Sequence, residues 1–226
     1  GTDILGAVTA HYAVPGSSVL AIEQDAKLAS ASELSLTQVC DRTKAINTSV
    51  FNVLLDAEFD RVILNPPYKK IRPITISTSR GELKITNLYA AFLVIAVQAL
   101  SEGGECVAII PRSWMNGAYF KDFRKWLLNE CSLDVIAVYG SRQEHFKDMS
   151  ILQEIMLLKV SKRSQTQRHY LWRYYASSLI GVASISTGSL EFDHPWKRSY
   201  SLHTAARFPS IRIQVFGSSR TMGFNR

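Results

Sequence analysis

The sequence predicts an α/β fold with an open, mostly parallel sheet that helices cover on both faces. Strand-like apolar runs alternate with helical segments along residues 18–160. Several of these runs are apolar throughout, as strands buried on both faces are. The last two runs have no helical segment between them, so we expect one antiparallel pair in an otherwise parallel sheet.

The first predicted elements precede residue 65. Residues 19–22 form an apolar run that ends at Glu23, which predicts a buried strand with a helix after it. Residues 37–48 then predict a helix, and the apolar run 50–55 predicts a second strand. Residues 61–64 predict a third strand. The stretch 69–86 is polar and mixed and predicts a long loop.

The later elements begin at Asn87, where apolar residues start to recur at helical spacing. Asn87 can cap this helix, and Gly103 and Gly104 end it. Residues 105–111 predict a strand, and residues 121–130 have the pattern of an amphipathic helix. Residues 133–139 and 151–160 predict the last two strands.

Composition excludes several classes of protein. The chain has 226 residues, of which 46% are hydrophobic and 20% charged, which is typical of a globular chain with a sizeable core. No apolar run reaches the roughly 18 residues that a membrane span needs, so we expect no membrane association. Cys40, Cys106 and Cys131 lie far apart, and the five His show no ligand spacing, so we expect no metal site. The absence of a signal peptide and the few cysteines predict a cytoplasmic protein.

Charge divides the chain into two parts. Residues 1–158 hold 15 Lys and Arg against 17 Asp and Glu, a net charge of −2, whereas residues 159–226 hold 11 against 2, a net charge of +9. A basic excess favours contact with a polyanion such as nucleic acid, with a solvated basic tail as the alternative. Apolar periodicity fades after Lys162, and residues 172–185 fit either a strand pair or a helix. We therefore expect a domain at 1–160 and a basic tail at 161–226.

The sequence Asn65-Pro66-Pro67-Tyr68 is the clearest chemical motif, and it directly follows a predicted strand. Ligands of open α/β sheets bind beyond the carboxyl ends of strands. The two prolines stiffen the turn and remove two backbone donors, which leaves the carbonyls of Asn65 and Pro66 free of those partners. Rigid acceptors suit the binding of an amino group, and Tyr68 offers a flat face to an aromatic base. An ordinary turn is the alternative.

The wider context of this motif is similar to a known family. FDRVILNPPYKKI, the segment from NLYAAFLVIAVQAL to YFKDFRKWLL, and HFKDMSILQEIMLLKV resemble the S-adenosylmethionine-dependent DNA adenine-N6 methyltransferases of prokaryotic restriction–modification systems. The resemblance covers about residues 1–160. It implies the Rossmann-like sheet of class I methyltransferases, double-stranded DNA as substrate, and a target-recognition domain or restriction subunit as partner. The tail at 161–226 is then the start of a target-recognition region or sequence foreign to the fold.

The resemblance also implies roles for individual residues. Asn65 and Pro66 would hold the amino group of the target adenine, with Asn65 also near the cofactor. Tyr68 and Phe146 would stack on the extruded base, with packing in the core as the alternative for Phe146. Glu23 would bind the ribose hydroxyls of S-adenosylmethionine, a task that suits a carboxylate at a strand end.

Two cofactor features depart from the family pattern. The chain begins inside the glycine-rich cofactor loop, of which Gly1 is the one assignable glycine, so we expect the central first strand to be missing. We therefore expect the chain alone to fold poorly or to bind the cofactor weakly. The acid expected near the cofactor adenine is also displaced. Asp56 lies later than the family position and Asn52 earlier, and either can serve as a hydrogen-bonding substitute.

Further residues give weaker signals. Lys69, Lys70 and Arg72 follow the motif and fit either phosphate contacts or a solvated loop. Ser113 and Cys106 lack an identifiable base, which argues against nucleophilic catalysis.

Three hypotheses remain open at this stage. The first is a DNA adenine methyltransferase domain. The second is a methyltransferase of the same fold that acts on protein glutamine or RNA, and it predicts activity without duplex DNA. The third is an inactive nucleic-acid-binding fragment, which the incomplete cofactor loop favours.

Overall fold

The computed structural model describes most of the region before residue 163 and the backbone of four later strands. The described residues are 11, 14–53, 55, 58–138, 155–162, 169–175, 178–186, 189–192 and 212–216. Within these ranges the chain forms twelve β-strands and three α-helices.

The strands, numbered in chain order, are β1 Ser18–Glu23, β2 Arg42–Asn47, β3 Phe59–Leu64, β4 Lys70–Thr78, β5 Gly81–Asn87, β6 Leu100–Pro111, β7 Cys131–Val138, β8 Ile155–Lys162, β9 His169–Tyr175, β10 Ser178–Ser186, β11 Ser189–Phe192 and β12 Arg212–Phe216. The helices are α1 Ala26–Thr37, α2 Leu88–Ala99 and α3 Lys121–Glu130.

Seven strands form the main sheet, in the order β2-β1-β12-β3-β6-β8-β7. The pairs from β2 to β6 are all parallel, whereas β8 runs antiparallel to both of its neighbours. The prediction of a mostly parallel α/β sheet with one antiparallel strand is therefore confirmed. Two smaller sheets join β4 to β5 and β9 to β11. The pairing of β9 with β10 selects the strand pair over the helix for residues 172–185.

The centre of the sheet differs from the sequence prediction. The sequence predicts that the central first strand is missing, but β12 lies between β1 and β3 and pairs in parallel with both of them. The central position is therefore filled by a strand from far along the chain. Pairing at this position is strongly favourable. Without β12, the facing edges of β1 and β3 would leave backbone hydrogen-bonding groups unpaired inside the protein.

Three local predictions are also wrong. Residues 37–48 contain strand β2 and not a helix, because this polar segment forms the edge of the sheet, where alternate side chains face solvent. In the predicted strand at 50–55, residues 50–52 form a single 3-10 turn. The expected loop at 69–86 is the hairpin β4–β5, which turns at Gly81 with φ of +104°.

The core lies between the sheet and helices α2 and α3. Helix α2 is apolar around most of its circumference and is largely buried, which fits its position between the sheet and the β4–β5 hairpin. Asn87 occupies the N-cap position of α2 as predicted, but its side chain makes no capping hydrogen bond. The helix ends at Ala99, before Gly103 and Gly104, because strand β6 already begins at Leu100. Among the described residues, no helix is long and apolar enough to cross a membrane.

Candidate functional site

The candidate site lies at the carboxyl ends of β1 and β3, with β12 between them. The register places Phe216 beside Ile22 of β1 and beside Leu64 of β3. The next residues along β1 and β3 are Glu23 and Asn65. Since neighbouring strands are about 4.8 Å apart, the backbones of Glu23 and Asn65 are about 10 Å apart on the same edge of the sheet.

The carboxyl end of β12 marks the topological switch point of the sheet, where the order of the strands reverses. From β12, the chain order extends through β1 to β2 on one side and through β3 to β6 on the other. Connections leave in opposite directions at such a point, and a crevice opens there between the loops. The two halves of the predicted site, 42 positions apart in sequence, therefore lie where open α/β sheets bind their ligands.

The loop Asn65–Tyr68 is held by a hydrogen-bond arrangement centred on Tyr68. The Tyr68 hydroxyl lies 3.1 Å from Asn65 Oδ1 and 3.0 Å from the carbonyl oxygen of Ile109 on β6. One phenol proton is thus shared between two acceptors, as in a three-centre bond. Pro66 is buried and Asn65 is half-buried. The loop is therefore fixed at both of its ends.

Burial raises the pKa of Tyr68 to about 12. The phenol consequently keeps its proton across the physiological range and remains a donor to Asn65 and Ile109. A neutral ring that packs partly against the core also keeps a fixed orientation.

Two carbonyl oxygens of this loop remain available as acceptors. Among the described residues, Tyr68 is the one donor that bonds to Asn65 Oδ1, and a carbonyl oxygen has a second lone pair. The carbonyl oxygen of Pro66 accepts no hydrogen bond from another described residue. The loop can therefore bind both hydrogens of an exposed amino group.

A group of buried aromatic and sulfur-containing side chains surrounds the segment that follows β6. The hydroxyls of Tyr89 and Ser113 lie 3.0 Å apart, and Trp114 donates to the Met156 sulfur at 3.3 Å. Arg124 donates to the carbonyl oxygens of Trp114 and Gly117, both at 2.7 Å. These contacts fix the segment that follows β6. Strand β6 carries Ile109, whose carbonyl oxygen accepts the hydrogen bond from Tyr68.

Glu23 provides the polar group on the other side of β12. It is 4% exposed, and its Oε1 accepts a hydrogen bond from the backbone N–H of Asp25 at 2.9 Å. Among the described residues, no other group donates a hydrogen bond to this carboxylate, so its oxygens can accept further hydrogen bonds. A buried carboxylate with free lone pairs suits a ligand that brings two hydroxyl donors.

Three predicted site residues, Gly1, Asp56 and Phe146, lie outside the described residues. Their roles remain predictions. Asn52 is described, and it is exposed at the end of the 3-10 turn that follows β2.

The residues rejected as nucleophiles have surroundings that suit structural roles. Cys106 is fully buried, and burial raises the pKa of its thiol well above the usual range. Ser113 has the Tyr89 hydroxyl as its hydrogen-bond partner. Burial raises the pKa of Tyr89 to about 12, so its phenol stays protonated and is a poor base. Neither arrangement activates a nucleophile.

The sequence of residues 20–146 matches the Eco57I restriction-modification methylase family. The chain belongs to this family. Two similar relatives are the type II methyltransferase M.PstI of Providencia stuartii, 40% identical over 149 residues, and M.BsuBI of Bacillus subtilis, 43% identical over 107 residues. These alignments cover 63% and 46% of this chain, but 29% and 21% of the two relatives. This Eco57I-family chain thus spans less than a third of their length.

Solved structures share the fold of this Eco57I-family chain. The methyltransferase subunit of a type I restriction-modification system from Streptococcus thermophilus has a TM-score of 0.56 at 15% identity, covering 74% of this chain and 46% of that one. A Listeria monocytogenes protein assigned to the class I S-adenosylmethionine-dependent methyltransferases has a TM-score of 0.53 at 12% identity, covering 75% of this chain and 64% of the other. The predicted class I methyltransferase fold is confirmed.

One functional group was missed at the sequence level. The Ile109 carbonyl anchors Tyr68 from a strand 41 positions away. The signal that could locate it is the pairing of β3 with β6, which places Leu64 beside Ala108. Sequence alone does not give that register.

Proposed function

We propose that this chain is the catalytic part of a DNA methyltransferase that transfers a methyl group from S-adenosylmethionine to the N6 amino group of adenine. The observation that carries this proposal is the pair of rigid carbonyl acceptors at Asn65 and Pro66, fixed at the switch point by Tyr68. Membership in the Eco57I restriction-modification methylase family supports it.

Asn65 and Pro66 would act on the reactivity of the amino group. The lone pair of an adenine amino nitrogen is delocalised into the ring, so this nitrogen is a poor nucleophile. Two acceptors that bind its two hydrogens draw them out of the ring plane and make the lone pair more available. Much of the remaining rate acceleration would come from the fixed orientation of the loop.

Tyr68 and Glu23 would position the two reactants. Tyr68 would stack on the extruded base, which offsets part of the few kcal/mol that base flipping costs. Glu23 would accept hydrogen bonds from the ribose hydroxyls of S-adenosylmethionine. The buried carboxylate with spare lone pairs fits such a ligand. When bound, the cofactor supplies an electrophilic methyl group on a sulfonium.

A panel of substrates tests the proposal. The chain is incubated with methyl-labelled S-adenosylmethionine and, separately, with duplex DNA, RNA and a glutamine-containing peptide. The DNA panel includes a duplex in which adenine faces a mismatch, because an unpaired base is cheaper to extrude. We expect label in DNA, with faster transfer to the mismatched adenine. Label in RNA or peptide alone would contradict the proposal and favour the second hypothesis. DNA binding without any transfer would favour the inactive fragment.

A further inference from the structure

The hairpin β4–β5 begins two residues after Tyr68 and is fixed against the rest of the protein. The backbone N–H of Leu88 donates to the Lys69 carbonyl oxygen at 2.8 Å, which closes the base of the hairpin. At the tip, Arg80 forms a salt bridge with Glu130 at 2.5 Å. Gln98 donates to the Ser77 carbonyl oxygen at 2.8 Å, which adds a contact with α2. The hairpin is therefore held along its whole length.

The two faces of the hairpin differ in chemistry. Leu83 and Ile85 of the inner face are buried in the core, and Ile74 and Ile76 pack against it. Strand register pairs Ile74 with Ile85 and Ile76 with Leu83, so the intervening pair of Thr75 and Lys84 faces outward. The outer face is polar and available to a partner.

Positive charge is concentrated on the exposed part of this segment. Residues 69–84 contain five Lys and Arg against one acid, Glu82. Four of the five cations are exposed and, within the described residues, have no salt bridge: Lys69, Lys70, Arg72 and Lys84. By contrast, Arg61 and Lys159, on the main sheet, both form salt bridges with Glu105.

We infer that the outer face and the exposed base of the β4–β5 hairpin bind the sugar–phosphate backbone of DNA beside the extruded base. This inference rests on the proposed function and extends it to how the substrate is held. A chain advances at most about 3.6 Å per residue, so the Cα atoms of Lys70 and Tyr68 are no more than about 7 Å apart. Phosphates that flank a base stacked on Tyr68 would thus lie within reach of Lys69 and Lys70, and Lys84, further along the hairpin, would meet more distant phosphates. Such contacts fix orientation and carry no sequence information.

Salt dependence of DNA binding provides the test. The probe is a short labelled duplex with one mismatched adenine, titrated with the full chain between about 50 and 200 mM salt. The test variant is the double substitution Lys70→Gln and Lys84→Gln. The matched control is Arg42→Gln with Lys44→Gln, which removes two exposed positive charges from edge strand β2. Both variants also have their affinity for S-adenosylmethionine and their thermal unfolding measured, so that loss of folding is recognised.

The inference predicts a different result for each double variant. Each lost phosphate contact reduces the magnitude of the slope of log K against log salt by about 0.9. The magnitude of the slope should therefore fall by about 1.8 in the hairpin variant and by much less in the control. Cofactor affinity should be unchanged in both. Equal slopes for the wild type and the hairpin variant would overturn the inference, as would equal losses in the two variants or no DNA binding by the wild type.

Methyl transfer separates this inference from the proposed function. If the chain methylates DNA adenine but the salt dependence of binding is the same in the wild type and the hairpin variant, the hairpin has no role in binding DNA. The proposed reaction would still hold. A slope that depends on the hairpin, with transfer to RNA or peptide and none to DNA, would support DNA binding by the hairpin and contradict the proposed reaction.

Discussion

The two halves of the main sheet are assembled in different ways. The half proposed to hold the base, called the base half, consists of β3, the Asn65–Tyr68 loop and β6, all within residues 59–111. The half proposed to hold the cofactor, called the cofactor half, consists of β1, β2 and β12, and it combines residues 18–47 with residues 212–216. The base half is thus local in sequence, whereas the cofactor half depends on a strand from far along the chain.

The two halves therefore differ in what they contribute. The base half holds the motif proposed for catalysis, and the cofactor half needs β12 for a continuous sheet. In the base half, described contacts join the motif to its support, such as the hydrogen bond from Tyr68 to Ile109. In the cofactor half, Glu23 depends on a sheet that is continuous only when β12 is in place. Long-range parallel pairing carries a large loop-closure cost. Changes in the base half should therefore affect the rate, whereas changes at Glu23 should affect cofactor binding and changes in β12 should affect stability.

The largest effect is expected at Asn65. Substituting Asn65→Ala removes one of the two acceptors for the amino group, and loss of one preorganised hydrogen-bonding group typically lowers kcat by about 10²–10³-fold. The affinity for S-adenosylmethionine should change little. Single-turnover methyl transfer and calorimetry measure the two quantities. A rate within a few-fold of the wild type would show that Asn65 has no role in catalysis.

The next effect concerns β12. Val215→Pro removes a backbone N–H from a strand that pairs on both sides, which leaves a buried acceptor unpaired at a cost of about 1–3 kcal/mol. Val215→Ile keeps that N–H and is the matched control. Denaturant unfolding should show lower stability for the proline variant alone. Equal stability of the two variants would indicate that β12 contributes little to the sheet.

A smaller effect is expected at Glu23. Glu23→Gln keeps the shape and the acceptor for the Asp25 N–H but removes the charge. We expect affinity for S-adenosylmethionine to fall about 10-fold, which corresponds to about 1.4 kcal/mol, because hydrogen bonds to a charged acceptor are the stronger ones. Calorimetry measures this change, and kcat at saturating cofactor should be retained. A lower kcat with unaltered affinity would contradict this division of roles.

Tyr68→Phe should have a modest effect on the rate. The variant keeps the aromatic face but loses the shared hydrogen bond to Asn65 and Ile109, which is worth about 0.5–1.5 kcal/mol. We therefore expect kcat to fall about 2- to 12-fold while KM for DNA stays nearly constant. A raised KM with unchanged kcat would instead assign the hydroxyl to DNA binding.

Alkaline pH should have the smallest effect. Burial raises the pKa values of Tyr68 and Tyr89 to about 12, above the ordinary value of 10.0. Their contribution to stability is complete below pH 10 and is lost as the pH rises towards 12, because the unfolded chain releases these protons first. In an ultraviolet titration of the phenols, the difference between the wild type and Tyr68→Phe reports the ionisation of Tyr68. This ionisation should occur well above pH 10. Ordinary titration of both residues would indicate that these aromatic side chains are open to water.

Sequence patterns predicted the base half better than the cofactor half. Strands β3 and β6 contain the apolar runs 62–64 and 106–110, and the motif at Asn65 follows β3 directly. Edge strand β2 resembled a helix because its polar side chains carry little periodic signal. Pro73 and Gly81 suggested a loop, yet Pro73 lies in a two-stranded ribbon, where a missing N–H is tolerated. The position of β12 depends on tertiary pairing, which no local pattern encodes.

The most direct test of the central claim is to identify the methylated atom. Mismatched duplex DNA is incubated with the chain and labelled S-adenosylmethionine, digested to nucleosides and separated by liquid chromatography with mass spectrometry. The account predicts that the label is in N6-methyl-2′-deoxyadenosine from the wild type and is nearly absent with Asn65→Ala. Label on a ring carbon, on another base, or at equal levels with both proteins would contradict the claim that Asn65 and Pro66 present an adenine amino group for methylation.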